Sequence, residues 1–409
     1  MSLPASISAL AGRQEAIAGQ LVAWAEINSG SDHPEGLERM RHALSAALAA
    51  RLPGTVEAVS LPGTGARALR LSVRPDAPVQ VLCSGHYDTV YGASHAFQRC
   101  ERLDAARLRG PGVADMKGGI LLMVEALQAF EANAEATAGW SATPGRAASN
   151  RANLGWEILL TPDEETGSTA SRALLAATAP RFDLALIFEP ARANGNAVRR
   201  RMGTAIFTVT CHGRAAHAGR DPAQGRNAVV ALAALLPQID ELNREMSGIL
   251  VNVGTVRGGS AVNMVPDLAV AEINVRAAGA AEATAVEARL RDLVAPLNGR
   301  EGYRVELSGQ FNRPPKDVSP VEEAWFAQWQ RCATEVGCTL NWEDVGGGSD
   351  GNLLGPAGVA CLDGIGPIGD GLHSPTETVD LPSLVQRAQA AALFLYRLSH
   401  SGGARPGAL

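Results

Sequence analysis

No stretch of the 409-residue chain stays apolar for the roughly 18 residues that a bilayer span needs, so no membrane-spanning helix is expected. There is no basic excess either. A net charge of −6 gives no electrostatic case for nucleic acid, and the one basic cluster, Arg199–Arg200–Arg201, is too short to change that. It reads as a solvated strand edge or as a group near an anionic substrate. Six scattered cysteines (Cys83, Cys100, Cys211, Cys332, Cys338 and Cys361) include no Cys-x-x-Cys pair and read as reduced, buried thiols. Met1 to Ile27 reads as an amphipathic helix with polar interruptions at Arg13, Gln14 and Glu15. It lacks the basic start and continuous apolar centre of a secretory signal, and with the cysteines this favours a cytoplasmic enzyme. Gly346–Gly347–Gly348–Ser349–Asp350 is glycine-rich but has neither the phosphate-binding lysine nor the spacing of a nucleotide loop. No internal repeat is evident.

A hydrophobic fraction of 46% and a charged fraction of 19% describe a globular protein long enough for two cores. Val79 to Cys83 reads as a buried strand ending at His86, and Ile120 to Phe130 has helical spacing. Trp156 to Leu160 and Leu184 to Phe188 read as further strands. This alternation predicts an α/β domain with a mixed, mostly parallel sheet and helices on both faces, with ligands beyond the carboxyl ends of the strands. From about Gly203 the pattern changes to strand (Ile206–Cys211), helix (Asn227–Leu242), strand (Ile249–Val256), longer strand (Val262–Val275), helix (Ala280–Leu297) and strand (Tyr303–Leu307). That is the order of a ferredoxin-like α+β module. The expected domains are therefore 1–201 and 313–409, interrupted by an inserted 202–312. Glu131 to Asn153 reads as an exposed loop.

Five separated stretches carry chemistry: Ser84–Gly85–His86–Tyr87–Asp88, Gly112 to Gly119 around Asp115, Asp163–Glu164–Glu165, Phe188–Glu189–Pro190 and His373 to Glu377. They offer two imidazoles and several carboxylates, with no thiolate, which suits zinc, cobalt or manganese in a hydrolytic site. His86 and Asp88 share one face of an extended segment, so the carboxylate can orient the imidazole. The glycines near Asp115 let backbone approach closely, and a carboxylate using both oxygens can bridge two metals. Adjacent Glu164 and Glu165 repel unless a cation lies between them. Glu189 closes a buried strand and wants a partner, either a metal or Arg192.

In their order these stretches, with Gly213 to Gly219 and Gly346 to Asp350, resemble the M20 family of metallopeptidases and amidohydrolases, in particular its glutamate carboxypeptidase type. The resemblance implies two zinc ions, with cobalt or manganese as substitutes. Asp115 would bridge them, one ion also taking His86 and Glu189 and the other Glu165 and His373. Glu164 would be the proton shuttle, Asp88 the clamp on His86, and Asp115–Met116 a cis peptide. The inserted module would be the family's lid or dimerisation domain, making a homodimer possible. His217 would stabilise the developing oxyanion, while Asn263 and Arg276 would bind substrate, the arginine by a bidentate grip on a carboxylate. The implied reaction releases a C-terminal amino acid from a small peptide or N-acyl amino acid. Deacylation, as by acetylornithine deacetylase, and dipeptide cleavage are the alternatives, with a catalytically inactive member as a remoter one.

Overall fold

The structure, a computed structural model, describes residues 3–138 and 153–400. Two compact units emerge: Met1–Arg199, Val318–Asp344 and Ser349–Leu409 form one, Arg200–Asp317 and Val345–Gly348 the other. The inserted unit thus begins and ends a few residues outside 202–312 and also takes in Val345–Gly348.

The first unit is organised by an eight-stranded sheet. Its strands lie in the order Val56–Ser60, Arg67–Val73, Leu154–Thr161, Val79–His86, Leu184–Ile187, Ala360–Asp363, Ala197–Arg201 and Trp342–Val345. The four from Leu154–Thr161 to Ala360–Asp363 run parallel, and antiparallel strands flank them. Successive residues of a strand face opposite ways, and here both ways are buried. Val81 and Cys83 join a core with the helices Gln14–Ala25, Lys117–Ala138, Pro320–Glu335 and Leu381–His400. Leu82, between them, joins a second core with Leu159, Ala185, Ile187 and Leu175. This is why the central strands read as continuous apolar runs.

The second unit is a four-stranded antiparallel sheet in the order Ile249–Gly258, Leu268–Ala277, Gly203–His212, Arg304–Arg313. Its apolar face (Phe207, Val209, Cys211, Ile273, Val275) packs on the helices Ala228–Glu245 and Ala280–Asn298. Connection and strand order are those of the ferredoxin-like module.

Three expectations change. Val262–Val275 is not one strand: Met264–Val265 pairs with Ala216–His217, and the ladder restarts at Leu268, because Pro266 has no N–H to give a ladder. Glu131 to Ala138 is not loop but the end of the helix Lys117–Ala138, while 139–152 lie outside the described residues. The first 27 residues are not one helix: a 3₁₀ turn, Leu10–Arg13, separates Ala5–Ala9 from Gln14–Ala25. The six cysteines are free thiols, five of them buried. Arg199 is engaged by Glu323 and, at 3.8 Å, by Asp344. Among the described residues no helix is long and apolar enough to cross a membrane.

Candidate metal centre

Parallel strands end on one side of a sheet, and register sets how closely. His86 stands opposite Thr161 and Ser84 opposite Ile187, so the ends of three neighbouring strands lie side by side. His86 is the last residue of its strand. Glu164 and Glu165 open a turn three residues beyond Thr161, and Glu189 follows Ile187 by two. Asp115 arrives at the start of the helix Lys117–Ala138, after a turn that needs the left-handed backbone of Gly112 (φ 72°). That helix start presses against Phe188: a Cβ on Gly119 would lie 2.0 Å from the Phe188 carbonyl oxygen. Only glycine allows the start of this helix to sit so near Phe188. The Asp115–Met116 peptide is cis.

These side chains meet. His86 Nε2 lies 3.1 Å from Asp115 Oδ1 and 3.7 Å from Glu189 Oε1. His373 Nε2 lies 3.2 Å from Asp115 Oδ2 and 3.1 Å from Glu165 Oε2. The two oxygens of Asp115 therefore face different imidazoles. Ligand atoms of Glu164 approach those of His86 and Glu189 within 4.8 Å. Behind the cluster, His86 Nδ1 is 3.2 Å from Asp88 Oδ1. Asp88 also accepts hydrogen bonds from the Glu164 and Glu165 amides, both at 3.1 Å, and from Ser31 at 2.8 Å. Arg192 turns instead to Glu343, at 2.9 Å.

Five carboxylates (Asp88, Asp115, Glu164, Glu165, Glu189) thus surround two imidazoles, and the charges feel one another. Burial, and then the charge of Asp115, pushes the Glu165 carboxyl up. Burial would do the same to Asp115, but hydrogen bonds from His373 and His86 outweigh it and hold that carboxyl below the usual range. Asp115 and Glu165 push the His373 imidazole up to about 11. Burial pulls His86 down, yet its bonds to Asp115 and Asp88 leave it well above the ordinary imidazole. An anionic excess that holds on to protons is what divalent cations would relieve. Two donors about 2.0–2.2 Å from one zinc ion stand about 3.3–3.5 Å apart, close to the separations here, and the donor set is nitrogen and oxygen only. The residues fit a pair of cations sharing Asp115.

Some contributors had no role assigned from the sequence. Asp350 receives hydrogen bonds from Thr161 (3.1 Å) and Ser168 (2.5 Å), at either end of the acidic turn. Half-buried Ser31 and buried Glu377 also hydrogen-bond to this framework. Nothing in periodicity marks them. Glu377 does stand four residues beyond His373, in the same stretch, and that proximity was the available signal.

His217, Asn263 and Arg276 belong to the second unit. His217 Nδ1 accepts hydrogen bonds from the amides of Gly219 (3.1 Å) and Arg220 (3.2 Å), which leaves the proton of a neutral ring on Nε2. The Asn263 carbonyl accepts from the Ala218 amide, tying the turn at 263 to the His217 strand. Arg276 donates to the Gly346 carbonyl.

Comparison with known proteins gives the family and the fold. The chain is 26% identical over 321 residues to carboxypeptidase G2 from Pseudomonas sp. (strain RS-16), spanning 78% of this chain and 74% of that one. It is also 26% identical over 296 residues to succinyl-diaminopimelate desuccinylase from Halorhodospira halophila, spanning 68% and 71%. The fold is that of aminopeptidase PepT from Bacillus cereus (TM-score 0.74, 19% identity, 94% and 99% covered). It is likewise that of the YXEP protein of Bacillus subtilis, a dinuclear metal binding peptidase of family M20 (TM-score 0.65, 13% identity, 94% and 99% covered). The model of peptidase family M20/M25/M40 matches residues 82–397, from the second half of the first parallel strand to the closing helix, and the chain belongs to that family of hydrolytic enzymes.

Proposed function

We propose that the protein is a di-zinc hydrolase that releases a C-terminal amino acid from a small peptide or N-acyl amino acid. One observation carries this reading: the oxygens of Asp115 are divided between His86 and His373, each at hydrogen-bond distance. One half-site would comprise Asp115, His86 and Glu189, the other Asp115, Glu165 and His373. Cobalt or manganese could replace zinc. Bound divalent ions supply Lewis acidity and bring water's pKa from 15.7 to about 7.

The chain's own groups do the rest. Glu164, held by its backbone against Asp88, takes a proton from the attacking water and returns it to the leaving amine. Asp88 fixes the direction of the His86 ring. His217, with its proton on Nε2, is a donor for the oxyanion of the tetrahedral intermediate. Asn263 and Arg276 bind the substrate, the arginine through a carboxylate.

The similarity to the desuccinylase favours a second reading, removal of an acyl group from an amino acid. Turnover of a panel varying acyl group and C-terminal residue independently, with a chelated control, separates the two. Release of one amino acid from many acyl groups supports the carboxypeptidase; release restricted to one small acyl group supports the deacylase. Silence with two metals bound overturns both. We assign the cytoplasm as its location on the free thiols and homodimerisation to the edge strand Ile249–Gly258, where Leu250 and Val256 are exposed. Sedimentation of the full chain tests the latter.

A further inference from the structure

The two halves of the centre are not supported alike. His86 and Glu189 are placed by neighbouring parallel strands whose register is fixed over several residues. His373 instead sits in a loop with a left-handed backbone (φ 60°) and a side chain 55% exposed, a conformation that a non-glycine residue keeps only when its surroundings impose it. What imposes it is four residues further on.

Glu377 is 1% exposed, and both its oxygens are occupied. Oε1 accepts hydrogen bonds from the amides of Ala114 (3.0 Å) and Asp115 (3.1 Å), and Oε2 from the amide of Gly112 (3.1 Å). The Tyr91 hydroxyl lies 2.8 Å from Oε2 and equally from the Ser374 carbonyl, offering one proton to both. The Glu377 backbone adds two more ties: its amide donates to Ser374 (3.0 Å) and its carbonyl accepts from Gly110 (3.1 Å). One buried carboxylate thus joins the loop that delivers His373 to the loop that delivers Asp115. Charge-assisted bonds of this kind are the strong ones.

We propose that Glu377 is a positioning residue that sets the separation of His373 from Asp115, and so selectively fixes the affinity of the half-site formed by Asp115, Glu165 and His373. The inference rests on the two-cation reading. An amide in place of the carboxylate would turn an N–H₂ towards backbone N–H donors and loosen one loop from the other. The half-site of His86 and Glu189 would keep its strand-end geometry.

The test is cobalt titration of the chelator-stripped full chain, followed by calorimetry and by the visible spectrum of the bound ion. Wild type is expected to take two equivalents. Glu377→Gln should take the first with affinity changed less than about threefold and the second about 10- to 100-fold more weakly, while the metal-free protein still folds but unfolds at a lower temperature than wild type. Tyr91→Phe, which removes a single shared proton, should weaken the same equivalent about 3- to 10-fold; it carries the test if Glu377→Gln does not fold. Equal weakening of both equivalents, or of neither, overturns the role of Glu377. A wild-type protein that binds fewer than two ions overturns the two-cation reading instead.

Discussion

Asp88 holds Glu164 through the main chain: its Oδ1 accepts the Glu164 amide at 3.1 Å while lying 3.2 Å from His86 Nδ1. One carboxylate therefore orients both a proposed ligand and the proposed base. Asp88→Asn keeps the shape but presents an N–H₂ where acceptors are needed. Cation affinity should fall about 10- to 100-fold, and kcat should fall even when cations are saturating. An affinity loss without a kcat loss at saturation would separate the two roles.

Glu164→Gln should reduce kcat by about 10²- to 10⁴-fold and leave two cations bound, as read by elemental analysis after dialysis. Because Glu164 also lies within reach of His86 and Glu189, loss of a cation in this variant would make Glu164 a ligand rather than the base.

Cation uptake should release protons and weaken steeply as pH falls, because the cations displace protons from the imidazoles of His373, up at about 11, and His86. Calorimetry in two buffers of different ionisation enthalpy counts those protons. The metal-free protein has its own signature. A histidine raised on folding stabilises fully below its unfolded value of about 6.5, and that contribution drains away as pH rises through the folded one. Glu165, also raised, acts in the same direction. Metal-free unfolding temperature should therefore fall between pH 6.5 and 8. Above that, buried Lys117, pulled down to about 8 by burial and hydrogen-bonded to the Ile27 carbonyl at 2.8 Å, opposes the trend. The metal-loaded protein should lose the first slope, because its imidazoles no longer hold those protons, and keep the opposing one from Lys117.

Trp329 is fully buried, its ring centroid 5.3 Å from that of Phe394 across the helices Pro320–Glu335 and Leu381–His400. Trp329→Ala should cost about 3–5 kcal/mol in denaturant unfolding, with unchanged cation stoichiometry in the folded fraction. A change in stoichiometry would mean that this core and the centre are coupled.

The elements were legible where one rule dominated. Val79–His86 and Leu154–Thr161 announce themselves as strands buried on both faces, and Phe207, Val209 and Cys211 as one face of a strand buried on one side. The proposed ligands were singled out by the family resemblance, and the structure brings His86, Asp115, Glu165 and His373 within hydrogen-bond distance of one another in a chain of contacts. Pro266 was a visible punctuation whose consequence, a broken ladder, was missed. Asp350 and Glu377 lay inside stretches that the sequence singled out, but their roles were not legible. Their work is to satisfy amides and hydroxyls in segments distant in sequence, Ser168 and Gly112 among them, and neither periodicity nor spacing records such a pairing.

The proposed ligands come from residue 86 at one extreme and residue 373 at the other, with the whole ferredoxin-like unit threaded between them. A growing chain on the ribosome has its first imidazole long before its last. A centre that uses both imidazoles therefore cannot be completed before residue 373 has been made. The proposed centre is thus a product of the chain on both sides of the inserted unit, and is assembled only after that unit has been synthesised.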